Sequence, residues 1–101
     1  MLTATAQFTI LPGKEAEAEA AIKKVVAEVD KNEPGALAYF WHRNIKDPMQ
    51  ILVFEIWKDS AAIETHRGMA HMAAFQSTFG TVFDPASVKI TRYERIAAIN
   101  R

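Results

Sequence analysis

From Leu2 to Ile10 apolar and polar residues alternate, with Leu2, Ala4, Ala6, Phe8 and Ile10 set against Thr3, Thr5, Gln7 and Thr9. This period of two predicts a β-strand with one clearly apolar face. Pro12-Gly13 stops it. From Lys14 to Lys31 the period lengthens: Ala18, Ala21, Ile22, Val25 and Val29 recur at helical spacing, and Glu19 and Lys23 are placed to pair at i,i+4 on the wet side. Acidic residues in the first turns and Lys31 near the end suit the helix dipole. The Ala-rich stripe suits a helix lying close against a sheet. Pro34 ends it, because proline lacks a donor and biases Glu33 away from helical geometry, while Gly35 permits the turn.

Leu37 to Arg43 reads as a second strand, with Leu37, Tyr39, Trp41 and Arg43 on one face and Ala38, Phe40 and His42 on the other. Lys46-Asp47-Pro48 makes a turn, and Ile51 to Trp57 returns as a third strand antiparallel to the second. Asp59 is the expected N-cap of a helix over Ser60 to Arg67 that ends at Gly68. A further helix is predicted to start near His71, with Met72, Phe75, Phe79, Val82 and Phe83 as its stripe, Gly80 weakening its last turn and Asp84-Pro85 ending it. Val88 to Ile96 gives a fourth strand, with Val88, Ile90 and Ile96 inward and Arg92 and Glu94 in the same register. The order predicts an α+β fold of ferredoxin-like β-α-β-β-α-β type, a four-stranded antiparallel sheet with helices on one face. At 101 residues, one domain over 1–101 is expected.

The third strand is apolar on both sides, with Ile51, Val53 and Trp57 on one and Leu52, Phe54 and Ile56 on the other. An antiparallel sheet with a wet face should alternate, so both faces call for cover, and the helices supply it for one only. A homodimer packing sheet face on sheet face with two-fold symmetry is therefore expected. Lys+Arg 12 balance Asp+Glu 12, which disfavours nucleic acid or an anionic membrane as partner. With no cysteine, a disulfide framework, a thiolate nucleophile and sulfur-ligated metal are excluded. The opening MLTATAQFTI has no basic n-region and no apolar run approaches the ~18 residues of a membrane span, so a cytoplasmic location is the default expectation.

Candidate chemistry gathers between Ile51 and Phe75, where Glu55, Trp57, His66 and His71 crowd one strand-to-helix corner, the expected place for a small-molecule pocket. Each has a structural alternative. Trp57 can be core or interface, His66 a helix-end imidazole bonded to the last carbonyls, His71 a helix-start residue, and Glu55 an ion-pair partner of Arg43 or Arg92. As a metal pair the histidines are poor, since five residues of continuous helix turn them about 140° apart and Gly68 intervenes. No metal is expected.

Glu33-Pro34-Gly35-Ala36-Leu37-Ala38-Tyr39, then Glu55-Ile56-Trp57-Lys58-Asp59, then Ala62 followed by His66, His71, Met72 and Phe75, resembles the antibiotic biosynthesis monooxygenase family of dimeric α+β barrels. The likeness runs from the first strand and its Pro12-Gly13-Lys14 ending to the last strand, and it implies a dimeric α+β barrel. Family members that oxidise anthrones or quinols are implied to work without flavin, metal or haem: the substrate anion reduces O2 directly, and the peroxide formed loses water to give a quinone. Trp57 matches the strand tryptophan of the anthrone oxidisers and His42 falls where they carry a histidine, while Val53 and Ile63 replace their asparagine and tyrosine. In the haem-degrading branch, Gln7 replaces a first-strand asparagine, His66 a helix tryptophan, and Gln76 the iron-ligating histidine. The quinol monooxygenases and the related enzyme acting on a phosphorylated signalling sugar carry histidines matching His66 and His71, with Ala70 in place of the proline before the second.

Two readings follow. One is a cofactor-independent oxygenase of a small aromatic, quinol or polyketide-type substrate, with His66 as base or proton shuttle and Trp57 and His42 beside it. Gln7, Glu55, His71, Phe75 and Phe79 would then contact the substrate. The other is a non-catalytic dimer that binds a small hydrophobic ligand or serves as an accessory subunit, motivated by the apolar Val53 and Ile63.

Overall fold

The alternation at the start of the chain becomes strand β1 (Leu2–Thr9), and the long helical period becomes α1 (Glu15–Asn32), in a computed structural model that describes residues 1–101. Strands β2 (Ala36–Arg43) and β3 (Gln50–Trp57), helices α2 (Ser60–Arg67) and α3 (Ala70–Gln76), and strand β4 (Lys89–Tyr93) follow. The four strands form one antiparallel sheet in the order β2-β3-β1-β4. This is the expected ferredoxin-like arrangement. No helix is long and apolar enough to cross a membrane.

Strand register decides which side chains meet. Ala4 stands opposite Glu55 on β3 and Arg92 on β4, Ala6 opposite Val53 and Ile90, and Tyr39 and Trp41 of β2 opposite Glu55 and Val53. Because successive residues point to opposite faces, these share the helix-covered face with Phe8, Ile51 and Trp57. The other face carries Thr3, Thr5 and Gln7 of β1 beside Phe40, His42, Leu52, Phe54 and Ile56.

The expected barrel is corrected by this topology. β2 pairs only with β3 and β4 only with β1, so the sheet is open. Two intervening strands, at about 4.8 Å per step, hold β2 and β4 roughly 14 Å apart, far beyond hydrogen-bond reach.

Three local expectations are also revised. The helix expected from His71 to Phe83 ends at Gln76; Gly80 at φ 100° turns the chain, and Phe83 forms a bridge with Ile10 instead. The apolar spacing there was produced by a looped segment whose phenylalanines all reach one core. β4 runs only from Lys89 to Tyr93, and Val88, Ile90 and Ile96, all expected inward, are 41%, 62% and 96% exposed. In β2 a register shift between Ala36 and Ala38 takes Leu37 out of the inward set, the effect of a β-bulge.

Phe8 is the hub of the core. Its ring meets those of Trp41, Phe75, Phe79 and Phe83 with centroids 5.6, 6.2, 5.2 and 5.2 Å away, near the edge-to-face geometry that aromatic pairs favour. Val25 and Ala18 of α1 close the cluster from above. Truncating Phe8→Ala is expected to cost about 3–5 kcal/mol, read as a lowered urea midpoint; a loss under 1 kcal/mol would show that the surrounding rings collapse into the space.

Candidate active site

Pro34 decides the geometry of the site. By denying Glu33 a helical conformation it ends α1, where Glu33 caps the helix at φ −125° and ψ 80° and its N–H still donates to the Val29 carbonyl. Gly35 then passes so close to α2 that a Cβ there would lie 2.7 Å from the Ala62 Cβ, and its carbonyl accepts from the Lys58 N–H. Asp59, accepting from the Ala62 N–H at 2.9 Å, caps α2 as expected. The Glu33 carboxylate is thereby tucked beneath α2 and α3 and is almost wholly buried.

Two imidazoles receive it. His66 Nδ1 donates to Glu33 at 3.0 and 2.8 Å, and His71 Nε2 donates to Glu33 Oε2 at 2.6 Å. His66 lies at the end of α2 and His71 in the first turn of α3. The break at Gly68-Met69 re-aims the second ring, so the pair converges instead of diverging as it would on a continuous helix. Glu33, His66 and His71 hold their ligand-type atoms within 4.8 Å of one another, but both nitrogens stand at hydrogen-bond distance from one carboxylate oxygen. Ligands about 2.1 Å from a tetrahedral zinc ion are roughly 3.4 Å apart, so an ion would have to push these groups outward.

Beneath α2 and α3 a cavity of about 510 Å³ opens onto the sheet, lined by Tyr39, Trp41, Val53, Glu55, His66, Met72, Phe75 and Phe79, with Arg67 and Arg92 also bordering it. With Nδ1 committed to Glu33, Nε2 is the His66 nitrogen left for this cavity. Burial, and secondarily the Glu55 carboxylate, raises the Tyr39 phenol well above its usual pKa, so its hydroxyl stays protonated. Burial likewise raises Glu55, opposed by the 2.9 Å hydrogen bond from the Trp57 indole N–H and by His66. The buried Trp41 indole N–H has no acceptor.

The antibiotic biosynthesis monooxygenase family model matches residues 1–78. The chain belongs to this family. Among solved structures it is similar to PA3566 from Pseudomonas aeruginosa, at 30% identity over 95% of this chain and 94% of that one with a TM-score of 0.84. An antibiotic biosynthesis monooxygenase at 23% identity (96% and 100% covered, TM-score 0.85) and Rv0793 from Mycobacterium tuberculosis at 17% (98% of each, TM-score 0.84) share the fold. No curated protein matches the sequence.

The family fold does not bring all the residues singled out in the sequence together. His66, Glu55, Phe75 and Phe79 line the cavity. Trp57 is fully buried behind them, 4.5 Å from the His66 ring, and contacts the site through Glu55. His71 lies beyond Glu33, in a groove between α1 and α3. Gln7 and His42 sit on the opposite face of the sheet, where His42 Nδ1 donates to the Leu52 carbonyl at 3.3 Å; they border a separate hollow with Asn44 and Gln50. Neither arginine proposed for Glu55 reaches it: Arg43 pairs with Glu19 at 3.8 Å and Arg92 with Glu64 at 3.4 Å.

Sequence reasoning missed Glu33, which it treated only as the residue before a helix-breaking proline. A carboxylate placed where a helix must end against the sheet, with two histidines downstream, was the available signal. Tyr39 enters the sequence reading only as a member of one strand face and of the stretch that carries the family likeness, with no role in the site.

The raised Glu55 gives a pH test. The folded chain holds the Glu55 proton more tightly than the unfolded chain, so stability present at low pH is lost as pH climbs from the ordinary carboxylate value near 4.5 through the elevated one. Glu55→Gln keeps an acceptor for Trp57 without the charge. Its melting temperature should match the wild type at the acid end of that window and exceed it at neutral pH; an unchanged difference across the window would show Glu55 to be well solvated.

Proposed function

We propose that this family member is a cofactor-independent oxygenase of a small aromatic or quinol substrate, with His66 as the general base. The observation that carries the reading is a largely apolar cavity with one imidazole in its wall, oriented by a buried carboxylate. A neutral His66 that donates Nδ1–H to Glu33 presents an unprotonated Nε2, the form a base requires. Its attack on a phenol or an activated C–H leaves the electron pair on the substrate. The anion passes one electron to O2, the radicals combine as a peroxide, and loss of water leaves a carbonyl, so one oxygen atom ends in product and one in water.

The walls suit that chemistry. Phe75, Phe79 and Trp41 offer flat apolar contact to an aromatic ring, and the Tyr39 hydroxyl, held protonated, is a donor for a developing oxyanion. Arg67 and Arg92 share the single carboxylate Glu64 at 3.6 and 3.4 Å, so the border favours a substrate with an anionic or oxygen-rich edge.

Oxygen uptake with menadiol, anthrone and a flavonol, in chelator-treated protein without added flavin, is expected for at least one of the three. His66→Gln should lower kcat by about 10²–10⁴-fold. Unchanged rates in that variant would remove His66 as the base, and tight binding of all three probes without uptake would make the cavity a binding site only.

The assembly we propose is a two-fold homodimer through the uncovered sheet face. Phe40 is 55% exposed there and stacks on Phe54 at 6.3 Å, with Leu52 and Ile56 alongside, while the helices lie on the other side. Burying such side chains is worth about 25 cal/mol per Å². Light scattering should give twice the chain mass of 11.3 kDa, and Phe40→Lys with Phe54→Lys should give the monomer. A wild-type monomer at micromolar concentration would refute the interface.

A further inference from the structure

Glu33 separates two hollows. On one side His66 borders the cavity beneath α2 and α3; on the other His71 borders a groove of about 360 Å³ between α1 and α3, with Lys24 and Glu28 in its wall. The carboxylate is 3% exposed and its imidazole neighbours 8% and 11%, so little water screens the three from one another. Burial disfavours ionisation of Glu55, the other acid near His66, which leaves Glu33, bonded to both rings, to balance one positive charge. A second imidazolium beside it would be uncompensated, and groups this close titrate as a set, not singly.

Resting on the oxygenase reading, we propose that Glu33 and His71 couple His66 to the groove, so that a proton taken from the cavity at His66 expels one from His71 on the far side. In the resting state His71 carries the positive charge and His66 is neutral. When His66 Nε2 takes the substrate proton, a substrate O–H or C–H bond breaks, its electron pair stays on the substrate, and an N–H bond forms. The charge beside Glu33 is then supplied by His66, and the His71 Nδ1–H bond breaks, its proton passing to water in the groove.

No hydrogen bond to Glu33 is broken during this exchange: His66 donates through Nδ1 and His71 through Nε2 before and after. The same coupling run backwards returns a proton to the peroxide, whose outer oxygen then leaves as water while the inner one stays on the product as the carbonyl. Glu33 and His71 touch no substrate; they are positioning residues that act through His66. Other charges face the set from each packed element: Lys24 and Glu28 of α1 toward His71, and Tyr39 of β2, Glu55 of β3, Arg67 of α2 and Arg92 of β4 toward the cavity. All remain in place while the proton moves between the two rings.

Nitrogen-15 NMR of the imidazoles tests the coupling without any substrate, and His42, on the opposite sheet face, is the internal control. His66 and His71 should each titrate in two steps while His42 titrates in one. His71→Gln keeps an N–H for Glu33 but cannot carry the charge, so His66 should collapse to one step with its midpoint raised by about one pH unit, a tenfold change in proton affinity. His71→Phe, a ring without a proton, should shift the midpoint the same way if the glutamine variant folds poorly. Where menadiol or anthrone supports oxygen uptake, the acid limb of the kcat profile should move with that midpoint and KM should hold. A His66 curve identical in wild type and His71→Gln would overturn the coupling, as would a shifted curve with an unmoved kcat profile. Absence of uptake by the wild type would fell the oxygenase reading alone, and the titration curves would still decide the coupling.

Discussion

A carboxylate withdrawn from water must find donors, and Glu33 finds both of its donors on other helices. That requirement ties the end of α1 to the end of α2 and the start of α3, with contacts spanning 33 and 38 residues of sequence. Breaking one partner of such a buried set leaves an uncompensated charge, a loss of several kcal/mol. The lid over the sheet is thus held by charge at one end and by the phenylalanines around Phe8 at the other. The cavity lies between these two anchors, which explains how a seven-residue helix can roof it.

The sheet contributes by parity. β1 places small residues, Ala4 and Ala6, on the covered face, leaving space above the middle of the sheet that Tyr39 and Glu55 border from neighbouring strands. Were these positions filled by large aliphatic side chains, the helices would rest on the sheet with no hollow. The threonines on the other face keep β1 wet where β2 and β3 are apolar, and exposed apolar side chains lie at both edges of the sheet, Leu37 and Phe40 on β2 and Ile90 and Tyr93 on β4.

Much of the fold was legible because β1, α1, β2 and β3 have clean periods and clear stops. The alternation of Leu2 to Ile10, the breaker at Pro34-Gly35 and the cap at Asp59 each map onto an observed boundary within a residue or two. The segment from Thr78 to Phe83 was misread for a physical reason: several aromatic residues drawn from a loop into one core imitate a helical stripe. The end of β4 was misread because an isolated Ile96 extends the apolar pattern without a partner strand to hold it. In the site, the expectation of His42 beside His66 followed the family likeness and failed against strand parity, which sends His42 to the face opposite Tyr39 and Trp41. Glu33 carried only a weak signal, a helix-ending carboxylate with two histidines downstream, because nothing local reports that residues more than thirty positions away will converge on it.

β3 carries two chemistries on alternate residues, Glu55 and Trp57 toward the helices and Phe54 and Ile56 away from them. A slip of a single residue against β1 would exchange the two sets, putting a carboxylate and an indole among the outer apolar side chains and a phenylalanine under the roof. The small residues of β1 and the rings of Phe8 and Trp41 hold that strand in place. What the chain can bind on one side of the sheet and what it can pack against on the other are thus fixed together, by one alignment of two strands.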